Sequence, residues 1–488
     1  MWGEYRLYET HLIIDGQYVS PDPTGSFERR GPSSDSIVTR AAAARATDAR
    51  EAAAAAAKSF ASWSATPHGD RAAVLECAAA LMKANADEIV EIARVELGSS
   101  PAWIRFNVDI AAAMLRQARE VGDALDAETH RGGDYLLRRR PAGVVLGIAP
   151  WNAAVALATR AVAAPLACGN TVVLKGSELC PKTHEWVASI MNAAGLPGGV
   201  LNYITNAPDH AEEVVEALIA HPAVRRVNFT GSTRVGREVA VTAARHLKPC
   251  LLELSGKGTM IVLADADLDL AARAAAHGSF FNQGQICMST ERILVEDAVA
   301  DDFVNRFKTE TEKLRFRPDE KPLGSLISPN AAVRIGAMVD DALARGATLV
   351  TGGELSGGGI QPTILDYVGP GMRLYSEEAF GPLAGVIRVG DKDEALAIAN
   401  DTEFGLVASV FTANTAAAIA FLGEIEIGIG HVNGSTVFDD PSMPFGGVKA
   451  SGYGRFGGTE AMREFTECQW IAIHHTAGAR KAGDDDVL

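Results

Sequence analysis

The sequence predicts an α/β protein with two domains built on mostly parallel sheets, and three observations support this prediction. Its 488 residues are enough for two or three domains, each with a substantial core. Short runs of β-branched and aliphatic residues alternate with longer helical stretches, a pattern typical of βαβ units. The alternation recurs in the second half of the chain, which favours two domains of the same class.

The first half begins with helical stretches and continues with alternating strands and helices. Alanine-rich residues 41–63 predict an exposed helix, and helical periodicity continues over residues 68–98 and 107–122. Buried strands are predicted at residues 143–149, 171–175 and 224–229, with helices at 153–167 and from Ser232 onward. In the second half, strands are predicted at residues 260–263, 292–295 and 408–411.

Composition and charge exclude several classes of protein. Hydrophobic residues make up 47% of the chain and charged residues 22%, which is typical of a soluble globular protein. A net charge of −16 disfavours binding to nucleic acid or to anionic membranes. The six cysteines include no C-x-x-C pair, and neither a signal pattern nor an apolar run of about 18 residues is present. We therefore expect a cytoplasmic protein with free thiols and no membrane span.

Two residues predict covalent chemistry. Cys287 follows a glycine-containing turn at residues 282–286, and Glu253 precedes a second one at 254–257. A thiol can attack a carbonyl carbon, and a base is then needed to activate the water that hydrolyses the thioester. The neighbouring glycines are expected to let the backbone approach a ligand. Cys168, Cys180 and Cys250 lie in apolar stretches, so structural roles are predicted for them.

Three segments are candidates for a cofactor site. Residues 229–236 follow a strand and open a helix, and a helix N-terminus suits a pyrophosphate, although an ordinary strand–turn–helix gives the same pattern. Lys175 and Glu178, at the end of a strand, could hold ribose hydroxyls. The carboxylate would repel a 2′-phosphate, which favours NAD over NADP. Residues 377–382 alone would be interpreted as a solvated loop. His474-His475 is interpreted as a surface pair, so no metal site is predicted.

Seven motifs occur in the order, and close to the spacing, of the aldehyde dehydrogenase superfamily, which the sequence resembles from about residue 10 to 475. They are Pro150-Trp151-Asn152, Lys175 with Glu178, residues 229–236, Glu253, Cys287, residues 378–382 and residues 444–447. Two departures from the family pattern are Ser255, where glycine is usual, and Gly176, where proline is frequent. Neither departure removes a reacting group.

The resemblance implies a mechanism for the predicted pair. Cys287 would attack the aldehyde, and the backbone N–H of the cysteine with the Asn152 amide would stabilise the oxyanion. Hydride would pass to the nicotinamide, and Glu253 would activate water to release a carboxylic acid. Retention of Glu253 argues against the branch that transfers the acyl group to coenzyme A. Asn152 could also cap the helix that follows it.

The resemblance also implies the cofactor contacts. Lys175 and Glu178 would bind the adenosine ribose, Ser232 the pyrophosphate and Glu378 the nicotinamide ribose, with Phe380 packing nearby. The full predicted set is Ile148, Pro150, Trp151, Lys175, Ser177, Glu178, Gly231, Ser232, Val235, Leu254, Glu378 and Phe380.

A closer resemblance, around residues 281–292, 221–229 and 431–436, is to the vanillin, benzaldehyde and salicylaldehyde dehydrogenases. The predicted substrate pocket comprises Trp103, Phe106, Arg160, Ile286, Met288, Val437, Phe438 and Phe445. Aromatic and methionine side chains suit a flat ring, although the same residues could belong to the core. Arg160 could meet a phenol or carboxylate or form a structural ion pair, and Arg105 is interpreted as a surface residue. An acidic or pyridine-ring semialdehyde remains an alternative substrate.

The fold implied is aldehyde dehydrogenase-like, with two doubly wound α/β domains and a small antiparallel oligomerisation arm. The NAD-binding domain would take residues 1–121 and 143–253, and the catalytic domain 254–450. The arm, at 122–142 with 466–478, would bridge subunits of a homodimer or homotetramer, and residues 479–488 would form a flexible tail. The rival hypotheses are a catalytically silent structural or binding relative and an acyl-transfer or thioester-hydrolysing enzyme.

Overall fold

The computed structural model describes residues 7–19, 25–32, 36–315, 323–356 and 359–474. Over these ranges the chain forms two large mixed sheets covered by helices, with a small antiparallel sheet beside them. No helix of the described residues is long and apolar enough to cross a membrane. His475 and the predicted tail at 479–488 lie outside the described residues.

The N-terminal part of the chain contributes short strands, a run of helices and the start of the small sheet. Its elements are β1 (Tyr8–Glu9), β2 (Leu12–Ile14), β3 (Gln17–Val19), β4 (Ser26–Arg30), β5 (Ile37–Ala42), α1 (Ala46–Ala65), α2 (His68–Ala84), α3 (Ala86–Leu97), α4 (Pro101–Arg116), α5 (Ala118–Ala127), β6 (His130–Arg131) and β7 (Tyr135–Pro141). The helix predicted at 41–63 begins later than expected, because residues 41 and 42 pair with β4 as the end of β5. One face of α1 is buried rather than exposed, since its alanines are small enough to pack against the sheet.

The middle of the chain alternates strands and helices as predicted. Its elements are β8 (Val144–Ile148), α6 (Ala154–Ala167), β9 (Thr171–Lys175), α7 (Pro181–Ala193), β10 (Leu201–Ile204), α8 (Ala211–Ala220), β11 (Val224–Thr230), α9 (Thr233–Arg245) and β12 (Cys250–Glu253).

The remaining elements build the second large sheet and close the chain. They are β13 (Gly258–Val262), α10 (Leu268–Phe280), β14 (Thr290–Glu296), α11 (Asp297–Glu312), α12 (Pro329–Ala344), β15 (Thr348–Thr351), β16 (Leu355–Ser356), β17 (Gly359–Ile360), β18 (Thr363–Asp366), α13 (Arg373–Ser376), β19 (Leu383–Val389), α14 (Lys392–Asn400), β20 (Phe404–Gly405), β21 (Val407–Phe411), α15 (Thr415–Leu422), β22 (Ile429–Val432), β23 (Val448–Lys449), β24 (Gly452–Tyr453), α16 (Gly458–Glu464) and β25 (Thr466–Ala472).

The first large sheet has the strand order β24-β12-β11-β8-β9-β10-β2-β3. The five central strands, β12 to β10, are parallel, and the strands at both edges are antiparallel. Along β8, Val144 and Leu146 belong to a core shared with α1, α8 and α9, whereas Val145 packs with α6 and α7 on the opposite face. Helices on both faces of a parallel sheet confirm the doubly wound prediction for this half.

The second large sheet has the order β15-β18-β19-β14-β13-β21-β22, and all its strands except β15 are parallel. Ile261 and Leu294 face one hydrophobic core, while Met260 and Ile293 face another.

The small sheet has the order β25-β7-β6 and is antiparallel. The predicted arm boundary at residue 122 falls inside α5, which continues to Ala127 with Leu125 buried.

The parallel strands of the first sheet bring several predicted site residues to one edge. Lys175 is the last residue of β9, Glu253 is the last of β12, and Pro150 follows closely after β8. Carboxyl ends of parallel strands are where open α/β sheets bind ligands. The short strand β24 pairs with β12, Gly452 opposite Glu253, so the C-terminal segment fixes the position of that carboxylate.

Candidate active site

A cleft at the carboxyl edge of the first sheet contains all three residues predicted for catalysis and several of those predicted for the cofactor. Its lining comprises Pro150, Trp151, Asn152, Leu157, Thr230, Gly231, Ser232, Glu253, Leu254, Ser255, Cys287, Arg334, Glu378 and Phe380. The predicted cofactor residues Ile148, Lys175, Ser177, Glu178 and Val235 lie outside this lining, on β8, on α9 and after β9.

Cys287 reaches the cleft on a tightly turned loop. Asn282, Gln283 and Gly284 all have positive φ, at 48°, 60° and 65°, which turns the chain sharply after α10. Side-chain amides hold this turn: that of Gln283 donates to the Gly324 carbonyl (3.0 Å), and Gln285 accepts from the Ile327 N–H (2.9 Å). Because non-glycine residues in this region cost free energy, two in succession indicate a loop held by its surroundings.

The glycines beside the two predicted catalytic residues lie where backbone segments meet. A Cβ on Gly256 would lie 2.3 Å from the carbonyl oxygen of Cys287, and one on Gly284 would lie 2.2 Å from that of Gly381. The glycines therefore let three backbone segments of the site approach one another; the approach of the backbone to a ligand stays a prediction.

Glu253 and Cys287 form the centre of the cleft. Glu253 is 1% exposed and its carboxylate interacts electrostatically with the Cys287 thiol, while its Oε1 has no hydrogen-bond partner among the described residues. Burial raises the pKa of Glu253 to about 7. Burial and the adjacent Glu253 carboxylate also raise the pKa of the Cys287 thiol. Near neutral pH the pair therefore holds a protonated thiol beside a carboxylate that can accept a proton.

Asn152 is anchored to the loop that carries Cys287. Its side-chain amide nitrogen donates to the Gln285 carbonyl at 3.1 Å, two residues before the cysteine. The alternative role of Asn152 as a helix cap is wrong, because the N-cap of α6 is Ala153 and no side-chain cap bond is present there. Instead, the Asn152 amide donates to the Gln285 carbonyl and so satisfies that backbone acceptor. The same hydrogen bond fixes the orientation of the second N–H of the Asn152 amide.

The loop at residues 229–236 forms a capped helix N-terminus at the cleft. Ser232 is the N-cap of α9, and its hydroxyl accepts from the Val235 N–H at 3.4 Å. A Cβ on Gly236 would lie 2.3 Å from the Leu254 side chain, so this glycine brings α9 close to the loop after β12. The uncapped N–H groups and the helix dipole make this end suitable for an anionic group such as a pyrophosphate.

The segment after β9 holds a buried lysine beside a carboxylate. Lys175 is 6% exposed, and its Nζ lies 3.8 Å from Oε2 of Glu178. The Ser177 N–H donates to Nδ1 of His184 (3.0 Å), whose pKa is lowered by burial to about 3, so that the ring stays neutral and can accept. At Gly176 a Cβ would lie 2.7 Å from the Tyr203 ring, which explains why this chain has glycine where proline is frequent.

Glu378 is held at the other side of the cleft. Its Oε1 accepts from the Gly256 N–H at 3.0 Å. Ser255, the residue before Gly256, lines the same cleft as Glu378. Burial and the charge of Glu291 raise the pKa of Glu378 to about 7. The ring of Phe380 packs edge-on against Trp151, with 5.7 Å between centroids.

A buried ion pair supports the loop that carries Glu378. Nζ of Lys257 lies 2.7 Å from Oε2 of Glu291 and donates to the Glu377 carbonyl (2.6 Å). Glu291 in turn accepts from the N–H groups of Ala379 (2.8 Å) and Phe380 (2.9 Å). The ion pair therefore ties the segments after Glu253 and Cys287 to this loop.

The residues predicted for the substrate pocket are distributed unevenly. Ile286, Met288, Val437 and Phe445 are buried in the core around the site, whereas Phe438 is 58% exposed. Trp103 is 2% exposed, stacks on half-buried Phe106 and donates its indole N–H to the Asn152 carbonyl (2.9 Å). The Trp103 indole therefore helps to hold the backbone of Asn152 in place through this hydrogen bond.

Arg160 and Arg105 have different surroundings. Arg160 is buried, forms an ion pair with Asp439 and lies over the Phe445 ring, 4.0 Å from its centroid. Arg105 lies on the surface, as expected, where it pairs with exposed Asp87. Only Arg160 is therefore placed near the reacting groups.

The site residues predicted from the sequence did not include four residues of the cleft lining, Ser255, Leu157, Thr230 and Arg334. They also did not include the ion pair of Lys257 with Glu291, or Asp439, which pairs with Arg160. Asp439 directly follows the predicted wall residues 437 and 438, which was an available signal. Arg334 belongs to no motif, and its contacts with the carbonyls of Glu378 and Ala379 depend on folding. Over the described residues, no group of three or more His, Cys, Asp or Glu side chains could hold a metal ion.

Comparisons with known proteins agree with the geometry. The model of the aldehyde dehydrogenase family matches residues 18–471. A vanillin dehydrogenase of Pseudomonas fluorescens is 49% identical over 476 residues, 96% of this chain and 98% of that protein. A salicylaldehyde dehydrogenase of Pseudomonas sp. strain C18 is 43% identical, covering 95% and 98%. The crystal structure of a salicylaldehyde dehydrogenase from Pseudomonas putida G7, complexed with salicylaldehyde, has a TM-score of 0.92 at 43% identity, covering 96% and 98% of the two chains.

Proposed function

Because the chain belongs to the aldehyde dehydrogenase family, we propose that it oxidises an aromatic aldehyde to the carboxylic acid with NAD. The observation that carries the proposal is the contact between Glu253 and Cys287 in the cleft. A nucleophilic thiol directly beside a carboxylate of raised pKa supplies both halves of a covalent oxidation, capture of the aldehyde and release of the acid.

The described residues fit a dinucleotide. The capped N-terminus of α9 at Ser232 would hold the pyrophosphate, Lys175 and Glu178 the adenosine ribose, and Glu378 the nicotinamide ribose. When bound, NAD would supply the acceptor for the hydride that leaves the substrate carbon. The Glu178 carboxylate, 32% exposed at its side chain, favours NAD over NADP because it would repel a 2′-phosphate.

In the first half of the proposed reaction, Cys287 attacks the aldehyde carbon. The thiol proton must leave, and the Glu253 carboxylate in the same cleft would accept it. The tetrahedral thiohemiacetal carries an oxyanion, which the Cys287 N–H and the free N–H of the Asn152 amide would stabilise. The bond from Asn152 to Gln285 fixes that amide before the substrate arrives, so little reorganisation is needed during the reaction.

In the second half, the thioester on Cys287 is hydrolysed. Once the thiol proton has passed from Glu253 to solvent, the carboxylate would accept a proton from water, and the hydroxide formed would attack the thioester carbon. Cleavage of the C–S bond would release the carboxylic acid, and the proton on Glu253 would return to the Cys287 sulfur. The unpartnered Oε1 of Glu253 is available for that water. Ser255 lines the same cleft, next to Glu253 and Glu378.

An aromatic substrate is favoured by the surroundings of Arg160 and by relatives named for ring aldehydes. Phe445, Met288 and Val437 provide buried apolar surface near Cys287. An acidic semialdehyde would need an unpaired cation, whereas Arg160 is already neutralised by Asp439. This second candidate is therefore the weaker one.

We also propose that β6, β7 and β25 bridge subunits of a homodimer or homotetramer. These strands form an antiparallel sheet on which Trp470 is 71% exposed and Tyr135 45% exposed. Large exposed aromatic side chains on a sheet are typical of contact surfaces. Light scattering at several protein concentrations would give the mass of the particle in solution.

The experiment that tests the proposed function is NADH formation at saturating NAD across a panel of aldehydes. The panel contains benzaldehyde, its hydroxy and methoxy derivatives, and aliphatic and acidic semialdehydes. We expect ring aldehydes to lead in kcat/KM by about tenfold, or roughly 1.4 kcal/mol of transition-state binding. Leading activity with acidic semialdehydes would overturn the aromatic assignment, and no turnover of any aldehyde would support a silent relative.

A further inference from the structure

A second cavity, whose lining shares no residue with that of the Cys287 cleft, contains a buried charged pair. Its lining includes Arg160, Asp439, Phe445, Met114, Val121 and Phe456. Apart from the pair, Gln117 and Asp440, the lining residues are apolar or small. A paired arginine and aspartate in such a wall is unusual, because burial of charge is costly unless a specific interaction offsets it.

The pair leaves one hydrogen-bonding atom unused. Asp439 Oδ2 accepts from a guanidinium N–H of Arg160, whereas Asp439 Oδ1 is buried and has no hydrogen-bond partner among the described residues. The two side chains are only 9% and 6% exposed. The Phe445 ring covers the guanidinium, 4.0 Å from its carbon to the ring centroid. The result is a fixed carboxylate with one acceptor still available.

The charged pair acts electrostatically on the groups proposed to react. The charges of both members reach Glu253: Arg160 lowers the pKa of that carboxyl and Asp439 raises it, although burial remains the larger influence. Arg160 also acts on Cys287. Phe445, which covers Arg160, packs in the same hydrophobic core as Met288, the residue after Cys287. A ring attached to the reacting aldehyde carbon would extend toward this wall.

We propose that Asp439 is a specificity-determining residue whose Oδ1 accepts a hydrogen bond from a neutral hydroxyl group on the aromatic ring of the substrate. The proposal rests on the proposed function and narrows it to hydroxylated ring aldehydes. A carboxylate-bearing substrate is disfavoured at the same position, because Asp439 repels it and Arg160 is already paired. A methoxy group lacks the proton and cannot take the hydroxyl's place.

The experiment measures kcat/KM for benzaldehyde and for the 2-, 3- and 4-isomers of hydroxybenzaldehyde and methoxybenzaldehyde. We expect at least one hydroxy isomer to exceed both benzaldehyde and its methoxy counterpart by about tenfold, or roughly 1.4 kcal/mol. In Asp439→Asn this preference should fall several-fold, because an uncharged acceptor forms the weaker hydrogen bond. The matched control is Asp302→Asn, an exposed aspartate paired with Arg306 outside both cavities, which should keep the preference.

A second variant covers the case in which Asp439→Asn does not fold. The double substitution Arg160→Met with Asp439→Leu removes both charges together and leaves no lone buried ion. It should oxidise benzaldehyde and hydroxybenzaldehydes with similar kcat/KM.

The proposal is overturned if the unaltered enzyme shows no hydroxyl preference at any ring position, or if the preference survives in both variants. In either case turnover of ring aldehydes would leave the proposed function standing. No turnover of any ring aldehyde would instead reject the proposed function itself.

Discussion

The raised pKa of Glu253 gives the proposed mechanism a pH dependence that can be measured. Burial raises this pKa to about 7, and the charge of Asp439 acts in the same direction, whereas the interaction with Cys287 and the charge of Arg160 oppose it. Only the carboxylate form can accept a proton from water. Turnover limited by thioester hydrolysis should therefore increase as the pH rises through 7 and decrease as Glu253 becomes protonated.

The size of the effect follows from the pKa. With a pKa of about 7, roughly nine-tenths of Glu253 is ionised at pH 8 and roughly one-tenth at pH 6, so kcat should fall about ninefold. A glutamate with the ordinary value of 4.5 would stay almost fully ionised over the same range. The change in kcat between pH 6 and pH 8 therefore distinguishes the raised pKa of Glu253 from the ordinary value.

Stopped-flow measurement of NADH formation separates the two halves of the reaction. Each active site should release one NADH in a fast phase, followed by slower steady turnover set by hydrolysis. Glu253→Gln should lower the steady rate by about 10²–10⁴-fold and remove its dependence on pH between 6 and 8. The fast phase slows as well if the same carboxylate takes the thiol proton. Glu403→Gln, at an exposed surface pair, is the matched control.

Two outcomes would refute this reasoning. A kcat that is flat from pH 6 to pH 8 in the unaltered enzyme would mean that Glu253 is ionised throughout or is not rate-limiting. Steady turnover of Glu253→Gln close to that of the unaltered enzyme would show that another group activates water.

Three further substitutions test the rest of the site. Asn152→Ala should lower kcat/KM about 10²–10³-fold through loss of an oxyanion donor, while the fluorescence-measured Kd for NADH should change little. Glu178→Gln should narrow the preference for NAD over NADP roughly tenfold in kcat/KM, since it removes a charge that repels the 2′-phosphate. Glu291→Gln should reduce the free energy of unfolding in urea by about 3–5 kcal/mol, because Lys257 loses its buried partner. It should also raise KM for NAD by loosening the loop that carries Glu378.

The sheets could be predicted because their signals are local. The runs 144–148 and 171–175 are buried and mostly β-branched or aliphatic, and each is followed by a helix with its own periodicity. The expected exposure of α1 was wrong for a non-local reason. Alanine is compatible with either a solvated or a packed helix face, and only the neighbouring strands determine which one forms.

The residues proposed for catalysis could be identified for the same local reason. Cys287 and Glu253 each lie within three residues of a glycine in a recognisable motif. The purpose of those glycines could not be predicted, since it depends on backbone contacts between segments distant in sequence. Gly256 faces the Cys287 carbonyl and Gly284 faces that of Gly381. The positions of these glycines are visible in the sequence, whereas the backbone atoms that they contact are determined by the tertiary fold.

The substrate wall depends on contacts that no local pattern records. Arg160 lies on α6 inside an apolar stretch, and its partner Asp439 is 279 residues away in a loop that resembles a solvated turn. Considered separately, each charge is most simply placed on the surface, and only their pairing makes burial tolerable for both. Such a pair can change between relatives without altering Cys287, Glu253 or the sheets. Specificity for ring substituents is therefore expected to reside in Asp439 and Arg160, whereas the oxidation chemistry resides in the motifs.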